Sequence, residues 1–281
     1  LIDGIAVMVS MSFEKSSTIY RRGIAYEDRR AALFNGVASF FTRLGGCSLP
    51  PADSLNFSNG PGEDEENIRR NIRIASDSLG IDPGAIVMCE QRHSDAIVSL
   101  SSPPSSMPIA DAVIAERAGI FPAIRTADCL PILIMDPVTR VSAAIHAGWR
   151  GTAQRVAPKV VQAMVRQYKV MPKNVLAALG PTIGVCCYEV GNDVISRVLR
   201  NIPNAEKYIV AKGTGKAEGT PSSYFVNLVE INRSELIRCG VPEANIKGAE
   251  ICTSCRGDLF FSYRRDRGKT GRQISIVGFR P

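Results

Sequence analysis

Histidine and tryptophan are scarce in the 281-residue chain, with two of the first and one of the second, and aromatic residues make up only 6% of it. Two imidazoles are too few to ligate a trinuclear copper cluster, so a multicopper electron relay is excluded on ligand count. Long apolar runs are missing as well. The longest, residues 5–9 and 130–135, fall far short of the roughly 20 residues that cross a bilayer as helix, and the chain reads as soluble. No secretory signal is visible, because acidic Asp3 precedes the first run and no small-residue cleavage site follows it. The missing initiator Met leaves room for a trimmed start. Regular cysteine spacing is also absent: of eight cysteines, Cys186 and Cys187 are adjacent and the rest sit in apolar or motif-like stretches. Reduced thiols in the cytoplasm fit this better than a secreted disulfide scaffold.

What is present is ordinary for a protein with a real core. A hydrophobic fraction of 45% and a charged fraction of 22% exclude disorder. The net charge of +7 is unevenly placed: Arg256, Arg264, Arg265, Arg267, Lys269 and Arg272 face only Asp258 and Asp266 in the stretch 256–272. No interleaved aromatics or basic helical face accompany it, so an anionic small molecule is the expected partner rather than nucleic acid.

Hydrophobic periodicity predicts a mixed α/β chain. Strands are expected within residues 5–41, then a loop from Gly45-Gly46 to Asn56. After Glu63-Asp64-Glu65-Glu66, Ile68, Ile72, Ala75 and Leu79 recur at helical spacing up to Gly80. Short β-like runs follow at 85–89, 96–100, 112–115, 123–125, 132–135 and 141–145. Val156, Val160, Met164 and Tyr168 make a helical stripe, with a strand at 175–179, helices near 193–200 and 228–239, and strands at 208–210, 225–227, 246–249 and 274–277. Residues 212–223 are expected as a mobile surface loop. There is no repeat of fixed period.

His93 and His146 each lie where a strand-like run meets a loop, and Cys129 sits between them in Thr126-Ala127-Asp128-Cys129-Leu130-Pro131. Taken singly, each histidine reads as a structural residue and Cys129 as a small core thiol. Together, two imidazoles and a thiolate supply three ligands and leave a fourth tetrahedral position open for water or substrate, as a catalytic zinc site requires. Cys252-Thr253-Ser254-Cys255 lacks a second pair or a nearby histidine in the sequence and reads as structural, and Cys186-Cys187 as packing around a turn.

Leu49-Pro50-Pro51-Ala52-Asp53-Ser54-Leu55-Asn56, Gln91-Arg92-His93, the Cys129 motif and His146-Ala147-Gly148-Trp149-Arg150-Gly151 appear in that order. Gly180-Pro181-Thr182-Ile183-Gly184, Cys187-Tyr188-Glu189-Val190-Gly191 and Phe260-Phe261-Ser262-Tyr263-Arg264-Arg265-Asp266 through Thr270-Gly271-Arg272 complete a pattern over roughly residues 36 to 279. The chain resembles the YfiH family, also called laccase-domain or multicopper polyphenol oxidase-like, which includes peptidoglycan editing factor. Two places depart from the family pattern. Asn71 is followed by Ile72, with Arg73 one place later, where the family has Asn-Arg, and Ser94 stands for the customary glycine after the histidine.

The resemblance implies one YfiH-like domain over residues 1–281, with 1–35 less well matched. Its fold would be a layered α/β/β/α arrangement of mixed β-sheets, related to cysteine hydrolases of the cytotoxic necrotising factor kind. It implies a zinc site on His93, Cys129 and His146, with copper as the alternative metal, and phosphorolysis of adenosine, inosine and S-methyl-5'-thioadenosine with adenosine deamination beside it. The partners would then be a purine nucleoside and phosphate. Arg150 and the amides near Gly151 and Thr152 are candidates to grip phosphate, or Arg150 salt-bridges a carboxylate. Only one of Arg264 and Arg265 is expected to face the anion, because neighbours on a strand point to opposite sides. Asn56 is a sugar or phosphate ligand or a turn residue, and Asp128 a proton shuttle or a residue fixing the loop beside Cys129. Rival readings are a copper polyphenol oxidase, a metal-free hydrolase with Cys129 as nucleophile and His146 as base acting on a peptidoglycan precursor, and a binding protein with a structural metal.

Overall fold

Strand 273–279 reads Gln-Ile-Ser-Ile-Val-Gly-Phe and every residue of it is buried. Ile274 and Ile276 pack under a helix on one side, while Val277 and Phe279 face a second sheet on the other. Leu130–Asp136 behaves in the same way, with Leu130, Ile132 and Ile134 toward helices and Leu133 and Met135 toward the opposite sheet. Strands covered on both faces need no polar side, so they read as continuous apolar runs rather than alternation. In the computed structural model, which describes residues 18–60, 63–212 and 223–281, these strands lie at the centres of two stacked sheets.

The first sheet runs Ile19–Arg22, Ala25–Asp28, Gly36–Phe41, Gln273–Phe279, Phe121–Thr126, Ile86–Val87. The second runs Ile246–Gly248, Leu176–Leu179, Leu130–Asp136, Val141–Ala147, Ala112–Ala115, Ile97–Leu100, antiparallel within and parallel at both ends. A smaller sheet of Glu189–Val190, Ser223–Val226 and Ile209–Lys212 stands apart. Helix Glu65–Leu79 covers the first sheet, and helices Val156–Tyr168 and Leu228–Arg238 cover the second. The layering is therefore α/β/β/α with mixed sheets, and the poorly matched residues 19–28 are integral to the first sheet.

Local chemistry explains the ends of the helices. Asp64 caps Glu65–Leu79 by accepting from the Glu66 amide, and Gly80 closes it at φ +62°. Two expectations need correction. The strand expected at 85–89 shrinks to Ile86–Val87, because Asp82 caps a 3-10 turn at Pro83–Ala85. Residues 263–268 form turns rather than a strand, so alternation is not what separates Arg264 from Arg265. The loop expected over 212–223 lies outside the described residues, apart from Lys212 and Ser223 at the ends of strands. No described helix is long and apolar enough to cross a membrane.

Candidate metal centre

The register of the second sheet brings the site together. Leu130 pairs with Ala147 and Pro131 with His146, so Cys129, one residue ahead of its strand, lands beside the end of the neighbouring strand. His93 arrives on a loop at φ +58°, a left-handed conformation few non-glycine residues adopt. Asp111, fully buried just before Ala112–Ala115, holds it there. Its carboxylate accepts from the amides of Arg92, His93 and Ser94 at 3.1, 3.0 and 2.7 Å and from the Ser94 hydroxyl at 2.6 Å. The same carboxylate lies 2.7 Å from His146 Nδ1, which leaves His146 Nε2 as the ring nitrogen for an ion. The rings of His93 and His146 stand 4.8 Å apart at 73°.

The ligand atoms of His93, Cys129 and His146 all lie within 4.8 Å of one another. A Cβ on Gly148 would sit 2.8 Å from Cys129 Sγ and 3.3 Å from His93 Cδ2, so glycine there leaves these two side chains their space. Two nitrogens and one sulfur suit a borderline-soft divalent ion, and the residues present fit zinc. Without an ion the centre is a charge pair. Burial pushes the Cys129 thiol up, but the charge of His146 and hydrogen bonds from both imidazoles outweigh it and bring Cys129 down to about 6. Burial pulls His146 down, but the Cys129 thiolate and Asp111 raise it to about 9. Burial also opposes ionisation of Asp111, yet hydrogen bonds from His146 and Ser94 hold it well below the usual carboxylate range.

Asp111→Asn is expected to weaken metal binding about 10–100-fold, the usual cost of losing a partner that orients a ligand. Competition with a chromogenic chelator reads this directly. Unchanged affinity would mean that Asp111 does not orient His146.

A cavity of about 580 Å³ opens over the centre, within the size range of small-ligand sites. Arg125, Arg150, Arg264 and Arg272 line it together with Trp149, Tyr188 and Tyr263. None of these four arginines is in an ion pair among the described residues. Arg125 donates to the carbonyls of Cys89 and Phe57, and Arg272 to those of Thr270 and Gly271. Burial lowers the pKa of both, as expected for guanidiniums whose charge is poorly solvated.

The expected site residues divide. His93, Cys129, His146, Asp128, Arg150 and Arg264 all line this one cavity. Arg150 is exposed and stacks 4.3 Å over Trp149 instead of meeting a carboxylate. The Thr152 amide is bonded to the Gly148 carbonyl and is not free to hold phosphate. Asp128 accepts from Thr253 Oγ1 and the Arg264 amide, both at 2.7 Å, and its carbonyl accepts from Thr182 and Ile183, so it braces the loop beside Cys129. Asn56 does not reach the cavity. It is 1% exposed, donates to Ser58 and Glu63, and accepts from the amides of Ser58 and Arg272. Arg265 is structural, bonded to Thr253, Phe260 and Asp266. Ser94, where glycine is customary, bonds Asp111 rather than the cavity entrance.

Residues 37–280 match the family described as multi-copper polyphenol oxidoreductase laccase. The chain belongs to that laccase family. A purine nucleoside phosphorylase, YlmD of Geobacillus stearothermophilus, is 34% identical over 87% of this laccase-family chain and 90% of its own length. Adenosine deaminase RL5, from an unknown prokaryotic organism, is 32% identical over 86% and 94%. The crystal structure of the Bacillus licheniformis hypothetical protein YfiH superposes with a TM-score of 0.86 at 31% identity, covering 94% of this chain and all of that one. This laccase-family, YfiH-type chain is an enzyme with the YfiH fold.

Sequence reasoning missed Asp111, which bonds His146, and did not place Arg125, Arg272 and Tyr188 in the cavity wall. Arg125 carried a signal, since an arginine inside the apolar strand Phe121–Thr126 is unusual unless its charge has a use.

Proposed function

We propose that the chain is a zinc-dependent purine nucleoside phosphorylase acting on adenosine, inosine or S-methyl-5'-thioadenosine, with adenosine deamination at the same cavity. The observation that carries this reading is the pairing of a two-His, one-Cys centre with unpaired guanidiniums across one cavity. The names of the relatives support it. His93, Cys129 and His146 would hold the ion, which when bound supplies a Lewis-acid charge beside the reacting bond.

The chain's own residues supply the rest. Arg125 and Arg272 hold phosphate in a poorly solvated wall, with Arg150 and Arg264 reaching from the rim. A phosphate oxygen held there forms a bond to C1' of the ribose as the bond from C1' to purine N9 breaks, and the electron pair leaves with the base. Burial pushes the Tyr188 phenol up, so it stays a hydroxyl donor for the departing purine. Asp128 is a positioning residue with both oxygens engaged. For deamination, Glu90 is the other carboxylate in the cavity wall and, although paired with Arg92, is the remaining candidate proton carrier once Asp128 is engaged by the chain.

Nucleic acid is not assigned as a partner. In the basic stretch Arg256 pairs with Asp258 and Arg265 with Asp266, while Arg264 and Arg272 face the cavity. Eight free cysteines suit the cytoplasm. Copper would bind these donors more tightly than zinc where both are free, but two histidines support no multicopper relay.

One observation favours a second reading. The Cys129 thiolate beside a protonated His146 is the pair a metal-free hydrolase acting on a peptidoglycan precursor would use, and on that reading chelators leave activity intact. With inosine as substrate, hypoxanthine is expected only in the presence of phosphate, and its release is expected to stop on chelation and return with zinc. Release at the same rate without phosphate, or in spite of chelation, would contradict the proposal.

A further inference from the structure

In the sequence Cys252-Thr253-Ser254-Cys255 reads as structural, for want of a second pair nearby, and Cys186-Cys187 as packing around a turn, with nearly seventy residues between them. The fold removes that separation. The bridge between Thr182 and Cys252 lays one segment along the other, through the Thr182 amide on the Ile251 carbonyl at 3.2 Å and the Thr253 amide on the Thr182 carbonyl at 3.0 Å. All four sulfurs then lie within 4.8 Å of one another. Cys255 Sγ is 3.6 Å from Cys186 Sγ and 3.5 Å from Cys187 Sγ.

We infer that Cys186, Cys187, Cys252 and Cys255 form a second, structural metal site for a single thiophilic divalent ion of the zinc class. Four thiolates about 2.3 Å from a tetrahedral zinc stand about 3.8 Å from one another, close to the separations here. A disulfide brings its two sulfurs to about 2 Å and leaves the other two out. Cys255 is nearly equidistant from both members of the adjacent pair, which a tetrahedron explains and a disulfide does not. The space between the sulfurs is too small for a polynuclear cluster.

The surroundings fit a thiolate site. The Gly184 amide donates to Cys252 Sγ at 3.2 Å, and a Cβ on Gly184 would sit 3.2 Å from Cys186 Sγ and Cys252 Cβ, so the turn packs closely onto the sulfurs. Arg264 donates to the Cys187 carbonyl and Arg265 to those of Thr253 and Ser254, placing positive charge on both cysteine segments. Metal binding releases the thiol protons to solvent. Four thiolates around a divalent ion carry a net negative charge that Arg264, in no ion pair among the described residues, partly offsets, while Arg265 is already paired with Asp266.

The site fastens two walls of the cavity together. Tyr188 follows Cys187 directly, and Arg264 bonds the carbonyls of Cys187 and Glu189. The proposal does not depend on the reaction catalysed at Cys129, and its test separates the two centres. In full-length enzyme loaded with cobalt, intense visible absorption of a tetrahedral tetrathiolate is expected, surviving in Cys129→Ser and lost in Cys255→Ser. Zinc content is expected to fall by one equivalent per chain in each variant. If Cys255→Ser fails to fold, the spectrum of the unmutated enzyme still decides. A cobalt spectrum without the tetrathiolate bands, or unreduced peptides linking Cys255 to Cys186 or Cys187 by a disulfide, would overturn the site.

Discussion

Cys129→Ser is expected to remove the metal from the cavity and to lower kcat/KM for inosine phosphorolysis by at least about 100-fold. Even an outer partner of a metal ligand is felt on the scale of 10–100-fold, so a ligand should cost no less. The side chain is nearly isosteric, and the hydroxyl can keep a hydrogen bond to His146, so the fold should survive. What disappears is the only thiolate of the centre, and with it the softest donor. Zinc analysis and steady-state kinetics on one preparation check both parts, with the four-cysteine cluster as an internal metal control. Full activity in the serine variant would remove Cys129 from the mechanism.

Arg272→Met is expected to raise the KM for phosphate by tens of fold and leave the KM for nucleoside nearly unchanged. A hydrogen bond to a charged group is worth about 1.5–3 kcal/mol, which is roughly 10- to 150-fold in binding. Arg272 is half-buried, lies 5.6 Å from the Tyr263 ring, and has no ion-pair partner among the described residues, so an arriving anion supplies the partner its poorly solvated charge lacks. For the same reason, the ligand-free variant is expected to melt no lower than the parent, since it sheds a poorly solvated charge that has no ion-pair partner among the described residues. Initial rates across a phosphate series, with thermal denaturation alongside, test both expectations. Arg150→Ala provides the contrast. Its side chain is exposed and stacked on Trp149, so its effect should be smaller.

The elements of this fold were legible where they carry their own signals. Helix Glu65–Leu79 announces itself by an acidic first turn, an apolar stripe and a closing glycine, and the structure returns all three. The central strands were visible as apolar runs, but their pairing was not, because register depends on contacts between distant segments. His93, Cys129 and His146 were legible as motifs, whereas the carboxylate bonded to the His93 amide and to His146 was not. Asp111 looks in sequence like any carboxylate ahead of a strand, and only the pairing of Ala112–Ala115 with Val141–Ala147 puts it beside His146. Asn56 and Asp128 show the opposite case. Both sit in motifs that resemble ligand-binding sequences, and both have their polar atoms occupied by the chain itself. The two cysteine pairs show no metal signal in sequence, because no local spacing reveals a cluster made by a tertiary bridge.

Alkylation of Cys129, followed by peptide mapping in metal-stripped and zinc-loaded enzyme, tests most directly whether this thiolate is a metal ligand. The thiolate is the reacting form, and in the stripped enzyme Cys129 is lowered from 9.0 to about 6. Its labelling rate should therefore already be high at neutral pH and should fall as the pH drops through about 6, where the thiol regains its proton. Zinc should protect Cys129 across that whole range. Equal labelling with and without zinc would contradict a metal centre on His93, Cys129 and His146 and leave a bare thiolate nucleophile in its place.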